Sequence, residues 1–198
     1  CSSDLAGTTG ANVASSITAN VSLLTCQSSM FADNSGNNLV ITANTTTVKP
    51  VTVSPFVQNT TAMPSAYNTA QFGGSMYFDG ASYLSVPYQT ALYDWWTQNF
   101  TIEAWVYPTT LSGWWVTNTN NIPCMIENGT YNSTSNYWNF GPNSGGVVSF
   151  YYYNGAQNLV SSTATVIVNQ WNHIAMTHTS AGITIFVNGV PSATTAVS

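Results

Sequence analysis

The two histidines of the chain lie five positions apart in the alternating stretch QWNHIAMTHTSAGITIFVNG, residues 170–189. Imidazoles serve as metal ligands and as general acids or bases, and a pair acts together only when both rings reach one point. Side chains of a strand alternate between its faces, so an odd spacing puts His173 on one face and His178 on the other. The spacing therefore predicts a structural role for both rings.

Paired carboxylates, the machinery of glycoside hydrolysis, are not indicated. Such enzymes hold two carboxyl groups about 5 to 9.5 Å apart across the sugar. None of the six acidic residues lies two positions from another. A carboxylate pair between separate segments, such as Glu103 with Glu127, would be a chance result of the fold. The chain also lacks a G-x-S-x-G motif and a Cys/His pair with an orienting acid. The sequence predicts that the protein is not an enzyme.

The charge balance excludes several classes of partner. The chain has one Lys, Lys49, no Arg and a formal charge of -5. Neutralising phosphates needs a basic surface, so nucleic acid is excluded as a partner, and docking on anionic lipid is disfavoured for the same reason. No apolar run approaches the roughly 18 residues of a membrane span, so no membrane insertion is expected.

Metal binding has little support in the sequence. Calcium sites use carboxylate and carbonyl oxygens, often in an Asp-rich loop, and no loop of that type occurs. We predict no metal and no cofactor, and name Asp79 and Asp94 as the places where calcium could still bind.

Aromatic residues in irregular segments suggest binding to carbohydrate. Exposed rings stack on the apolar faces of sugars, and binding residues are concentrated in loops. The equal alternative is that many of these rings belong to the core or to a subunit interface. The candidate carbohydrate-binding residues are Trp95, Trp96, Trp114, Trp115, Tyr131, Tyr137 and Trp138.

The elements that must position these residues are strands. Residues 1–20 are small and polar and are predicted to be a linker or extended arm, and residues 21–198 one domain. Within it, NFTIEAWVYP at 99–108 alternates cleanly, with Phe100 and Ile102 on one face and Glu103 and Trp105 on the other. Hairpins are predicted at Asp-Gly and Asn-Gly pairs, which accept the positive φ of tight turns. Short strands with such turns and no helical period predict an all-β antiparallel sandwich or jelly roll.

Four segments carry a family resemblance. SLLTCQSSMFADNSGNNLVITAN, QFGGSMYFDGASYLSVP, NFTIEAWVYP and QWNHIAMTHTSAGITIFVNGV follow one another as in the laminin-G-like, concanavalin A-like jelly rolls of bacterial and bacteriophage surface proteins. The resemblance covers about residue 21 to the end, and it implies a two-sheet sandwich. Trp171 and His173 match the Trp-x-His position of the family, which implies a structural imidazole inside the sandwich. Many relatives use calcium.

The chain departs from the family at its end, because nothing like the usual closing strand follows VPSATTAVS. That strand runs beside the opening one, here residues 21–27, and an uncovered edge recruits other strands. We therefore expect further chain or a neighbouring copy to cover this edge, as in donor-strand assembly, which predicts a homo-oligomer.

The opening segment is most similar to copies of the domain in tail-fibre and other virion proteins of phages. The resemblance implies a non-catalytic adhesive or structural module of a virion fibre or surface appendage, located on the virion or an extracellular surface. Its expected partners are a host-surface glycan or protein and neighbouring virion or filament subunits. The alternatives are a purely structural subunit without ligand, and a secreted bacterial adhesin, lipid-anchored if Cys1 is modified.

Two expectations concern single residues. Trp105 and Trp171 should be core residues, because each lies on a strand predicted to pack in the sandwich. Cys26 and Cys124 should be unbridged if the protein assembles inside a bacterial cell, where thiols stay reduced.

Overall fold

The computed structural model describes residues 21–25, 31–33, 35–44, 47–51, 75–87, 98–111, 125–129 and 137–197. The chain divides into two compact units, Cys1–Gln89 and Thr90–Ser198. The described residues form strands, turns and coil without a helix, so an all-β fold is confirmed. Accordingly, nothing in these ranges is a helix of the length and apolarity that crossing a bilayer requires.

The described residues of the first unit form two small antiparallel sheets. Its strands are β1 (Thr42–Ala43), β2 (Lys49–Val51), β3 (Ser75–Tyr77) and β4 (Leu84–Ser85). β1 pairs with β4 and β2 pairs with β3. A hairpin of β3 with β4 around Asp79–Gly80 is expected from the sequence, and this prediction is wrong. The chain does turn there, with Gly80 at φ 87, but β3 pairs with β2 and β4 pairs with β1. Among the described strands β2 pairs with β3 alone, and an edge position of this kind tolerates the missing N–H of Pro50.

In the part of the second unit that the structure describes, eight strands form two four-stranded antiparallel sheets. Its strands are β5 (Phe100–Val106), β6 (Ile126–Asn128), β7 (Trp138–Pro142), β8 (Val147–Tyr153), β9 (Gln157–Thr165), β10 (Asn172–Thr179), β11 (Gly182–Val187) and β12 (Val190–Pro191). One sheet has the order β12-β11-β10-β5 and the other β6-β7-β8-β9. Two facing antiparallel sheets of this kind are the expected sandwich, which is confirmed.

The core of this unit lies between the inner faces of the two sheets. Ile102 and Ala104 of β5 are buried, and Phe100 and Val106 pack against the same cluster, as the alternation of the sequence predicts. The other strands contribute apolar side chains that are almost wholly removed from water. The largest of these are Phe140, Phe150, Ile174, Met176, Ile183 and Ile185. Truncation of one such Phe to Ala typically costs about 3 to 5 kcal/mol.

Asn-Gly turns fix the register of two hairpins. β8 and β9 turn at Asn154–Gly155, and β11 and β12 turn at Asn188–Gly189, where both φ values are positive, 51 and 81. A two-residue turn with two positive φ angles matches the right-handed twist of the flanking strands. Both predicted turns are confirmed.

The segment after β12 continues along β11. Ser192 N–H donates to the oxygen of Ile185 at 2.7 Å, and Thr195 and Ile183 exchange two backbone hydrogen bonds of 2.8 Å. This edge of β11 is thus covered by the chain's own last residues. The strand expected at residues 21–27 is not formed in its described part, 21–25. Residues 1–20, Cys26 and Cys124 lie outside the described ranges, so the expectation that the two cysteines are unbridged stays a prediction.

Candidate functional site

The two histidines lie on opposite faces of β10, as the spacing predicts. His178 faces the core and is buried, and its Nδ1 lies 2.9 Å from the backbone oxygen of Gln98. Because a carbonyl oxygen only accepts, Nδ1 carries the proton. The ring stacks on Phe100 with 5.0 Å between centroids and 18° between planes. His178 is thus a structural residue that ties β10 to the chain entering β5.

His173 is not inside the sandwich, and the expectation drawn from the Trp-x-His motif is wrong on this point. The fully buried side chain at this end of β10 is Asn172, so strand alternation turns His173 to the outer face. There its Nε2 lies 3.3 Å from Oε2 of Glu103. Its ring also lies 5.1 Å from that of Trp105, centroid to centroid.

Trp105 and Trp171 are not core residues either. Both are half-buried, and neither belongs to the core cluster. Trp105 shares the outer face of β5 with Glu103, because the apolar residues of the opposite parity fill the core. Trp171 precedes β10 and meets the ring of Tyr107 edge-on, with 5.5 Å between centroids.

These residues form one surface, which we call the ring face: the side of the sheet β12-β11-β10-β5 that is turned away from the core. Cross-strand pairing places Trp105 opposite His173, and Ala175 between Glu103 and Phe186. Tyr107, at one end, is 41% exposed. The members of the ring face are Glu103, Trp105, Tyr107, Trp171, His173 and Phe186.

The loop before β10 and the turn after β11 hold the ring face in place. Asn172 accepts from Ile167 N–H at 3.0 Å and donates to the oxygens of Ile167 and Gln170 at 2.9 Å. Asn188 accepts from the N–H of His173 through its side chain, and its own N–H donates to the oxygen of His173, each at 2.8 Å. The residue before the imidazole and the backbone of His173 itself are therefore fixed by hydrogen bonds.

The chemistry of the ring face is that of a binding surface. Aromatic faces carry negative partial charge and attract the C–H groups of a sugar ring, while a carboxylate accepts hydroxyl protons. The side chains of Glu103 and His173 remain 38% and 25% exposed, so both reach solvent. The alternation of the sequence places Glu103 and Trp105 together on this face of β5, but it does not predict that the face is turned away from the core. Tyr107, two residues further along, was missed.

The loop rings proposed from the sequence fall into two groups. Trp95, Trp96, Trp114, Trp115 and Tyr131 lie outside the described residues. Tyr137 and Trp138 do not lie exposed in a loop as expected: Trp138 begins β7, and the two side chains are 1% and 8% exposed. Tyr137 contacts Tyr151 and Trp138 contacts Phe150, each at 5.9 Å between ring centroids. In both cases pairing with β8 draws the ring into the protein.

The described carboxylates of the second unit do not face one another. Glu103 points outward from β5, whereas Glu127 lies opposite Asn139 on the outer side of the other sheet. The chance pair considered from the sequence is therefore not formed.

Asp79 acts as a turn residue in the first unit. Its Oδ1 accepts from Ala81 N–H, Ser82 N–H and the Ser82 hydroxyl at 3.0, 2.9 and 2.6 Å. The hydroxyl bond from Ser82, with the bond from Ala81 N–H, lowers the pKa of Asp79 to about 2. Asp94 lies outside the described residues, within which His, Cys, Asp and Glu form no group of three able to hold a metal ion. Calcium binding at Asp79 or Asp94 stays a prediction.

Comparison with known proteins agrees with this architecture. A family model described as the concanavalin A-like lectin/glucanases superfamily matches residues 78–198, which include the whole second unit. Neither the curated proteins nor the solved structures that were compared gave a match. A domain of this kind fits a carbohydrate-binding or adhesive module. With the two facing antiparallel sheets and a family match over more than half of its length, the chain belongs to the concanavalin A-like lectin/glucanase superfamily.

Proposed function

We propose that the second unit is a non-catalytic adhesive module that binds carbohydrate through the ring face, as part of a virion fibre or another surface appendage. The observation that supports it is the grouping of half-buried rings with a solvent-exposed carboxylate on one sheet face. Trp105 lies two residues from Glu103 on the outer face of β5, and Tyr107, one residue past that strand, keeps 41% of its surface exposed. Ligand rings can stack there while their hydroxyls reach Glu103.

A non-catalytic role is supported by the placement of the carboxylates. Hydrolysis of a glycosidic bond needs an acid and a nucleophile or base on the same sugar. Glu103 and Glu127 lie on the outer sides of different sheets, so they do not meet at one substrate. Glu103 is instead engaged with His173, at 3.3 Å.

The surroundings proposed for this module are the surface of a virion or an extracellular surface, with a host-surface glycan or protein and neighbouring subunits of a homo-oligomeric fibre as partners. Supporting this, only 4% of the residues are charged, so the polar side chains of the protein are mainly hydroxyl and amide groups. Such groups hydrogen-bond to sugars without a need for charge pairing. Mass spectrometry of purified particles tests the virion assignment: absence of peptides of this chain from the particles contradicts it.

The binding proposal is tested with the full chain on an array of polysaccharides. Tyr107→Ala and Trp171→Ala should each weaken binding about three- to tenfold, the equivalent of one aromatic contact of about 0.5 to 1.5 kcal/mol. Tyr83→Ala is the matched control, because Tyr83 is 59% exposed in the first unit. Melting curves confirm that each variant is folded.

Two outcomes overturn the proposal in different ways. If the wild type binds no polysaccharide, the module is not a carbohydrate binder. If Trp114→Ala and Trp115→Ala reduce binding while both ring-face variants retain it, carbohydrate binding stands and the site moves to the loop that the sequence indicated.

A further inference from the structure

We infer that the ring face selects uncharged glycans and excludes those that carry carboxylate, sulfate or phosphate groups. This inference rests on the proposed function and specifies the ligand class of the same site. It comes from the charges that surround the site.

The unit that carries the ring face has no permanent positive charge. Between Thr90 and Ser198 the chain contains no Lys and no Arg, while it contains Asp94, Glu103 and Glu127. An anionic polymer that approaches this unit meets net repulsion, and recognition of sulfate or carboxylate groups normally relies on Arg or Lys.

The two imidazoles do not replace the missing cations. His178 is buried on the core face and donates to the oxygen of Gln98. His173 reaches the ring face, but its Nε2 lies 3.3 Å from the carboxylate of Glu103. A ligand anion that approached His173 would therefore have to stand beside Glu103 or displace it.

The same geometry suits an uncharged sugar. The Glu103 side chain is 38% exposed, so its oxygens can accept hydroxyl hydrogen bonds beyond the contact with His173. Trp105 follows Glu103 two residues along the same face of β5, Tyr107 comes two residues later, just past the strand, and both rings offer aromatic surface to the C–H groups of the sugar. Specificity then arises from attraction to hydroxyls together with like-charge repulsion of acidic glycans.

The test compares glycans that share a backbone and differ in charge. Suitable pairs are agarose-type galactan with its sulfated counterpart, and mannan with polymannuronate. The full chain should bind the neutral member at least about tenfold more tightly, a difference of about 1.4 kcal/mol. Raising the salt concentration should narrow this ratio, because salt screens repulsion between exposed charges.

A pair of variants localises the effect. Glu103→Gln should raise the affinity for the acidic member relative to the neutral one by about threefold or more, since about that much is expected of one nearby charge in water. Glu127→Gln changes the net charge equally on the other sheet and should leave the ratio unchanged.

Three results would each contradict the proposed function or the inference about ligand charge. If no glycan binds, the proposed function fails and the ligand class with it. If acidic members bind as tightly as neutral ones, carbohydrate binding stands and the selectivity is wrong. If Glu127→Gln relieves the exclusion as much as Glu103→Gln, the exclusion does not act at the ring face and the inference is overturned.

Discussion

The Nδ1 atom of His178 lies 2.9 Å from the backbone oxygen of Gln98, while the ring of His178 stacks on Phe100. One imidazole thus joins the middle of the sheet to the chain that enters β5. A residue of this kind should matter for stability and not for ligand binding.

Replacement of His178 by Phe separates the hydrogen bond from the stacking. His178→Phe keeps an aromatic ring beside Phe100 and removes the donor to Gln98, so the free energy of unfolding should fall by about 1 kcal/mol. Chemical denaturation measures this change. A variant with lost glycan affinity and unchanged stability would contradict the structural role.

Asn172 should be among the polar residues most important to stability. It is fully buried and hydrogen-bonds to Ile167, Gln170 and Asn188. Asn172→Ala leaves a void at a fully buried position and removes the bonds that hold the loop before β10, and it should cost about 2 to 3 kcal/mol in the free energy of unfolding. Asn158→Ala, which removes exposed bonds in the β8–β9 hairpin, is the control and should cost less than about 1 kcal/mol. Equal costs would show that burial is not the deciding factor.

Gly182 is required both by its backbone conformation and by its neighbour. Its φ is 125, and an added Cβ would clash with the backbone oxygen of Thr195. Gly155 has a similar φ of 100 and open space around it. Gly182→Ala should therefore lower the free energy of unfolding by about 3 kcal/mol, and Gly155→Ala by about 1 to 2 kcal/mol of backbone strain alone. If the two variants lose similar amounts of free energy of unfolding, the residues around Thr195 can move away from the added Cβ at little cost.

Acid should weaken the loop around Asp33. Burial raises the pKa of this carboxyl, but hydrogen bonds from the N–H groups of Leu39, Leu24 and Ser35 and from the Ser35 hydroxyl lower it more, so the net pKa lies below the ordinary 3.8. A lowered folded-state pKa means stability that is fully present above 3.8 and is lost as the pH falls through the folded value. NMR signals of the three amides should titrate together below pH 3.8 and stop titrating in Asp33→Asn. Titration at or above that value would contradict the assignment.

The sequence predicted those features that depend on neighbours along the chain. Alternation in β5 and the Asn188–Gly189 turn are local properties, since side-chain period and positive φ are set by a few residues. The opposite placement of His173 and His178 follows from the same period. All of these agree with the structure.

The errors concern choices that depend on distant partners. The alternation of side chains shows that β5 and β10 each have two faces, but it does not show which face packs in the core. The predictions for His173 and Trp105 therefore place them on the wrong face of their sheet. Trp138 stands among Asn and Ser residues that indicate a loop, yet it pairs with Tyr152 of β8. β3 and β4 read as one hairpin, yet each finds its partner elsewhere. The ring face depends on the pairing of β5 with β10, which only the folded chain brings together.

The alignment of the last residues along β11 also determines how this unit responds to mechanical load. A force applied near Val197 meets the packing of that side chain on the core and the Thr195–Ile183 bonds first, and then the Ser192–Ile185 bond toward the Asn188–Gly189 turn. Bonds opened in sequence resist pulling less than bonds loaded together. Single-molecule stretching from this side should therefore show an early low-force step before the sheets separate. An adhesive module loaded in this direction would lengthen first and keep β5 and β10, which carry Glu103, Trp105 and His173, paired.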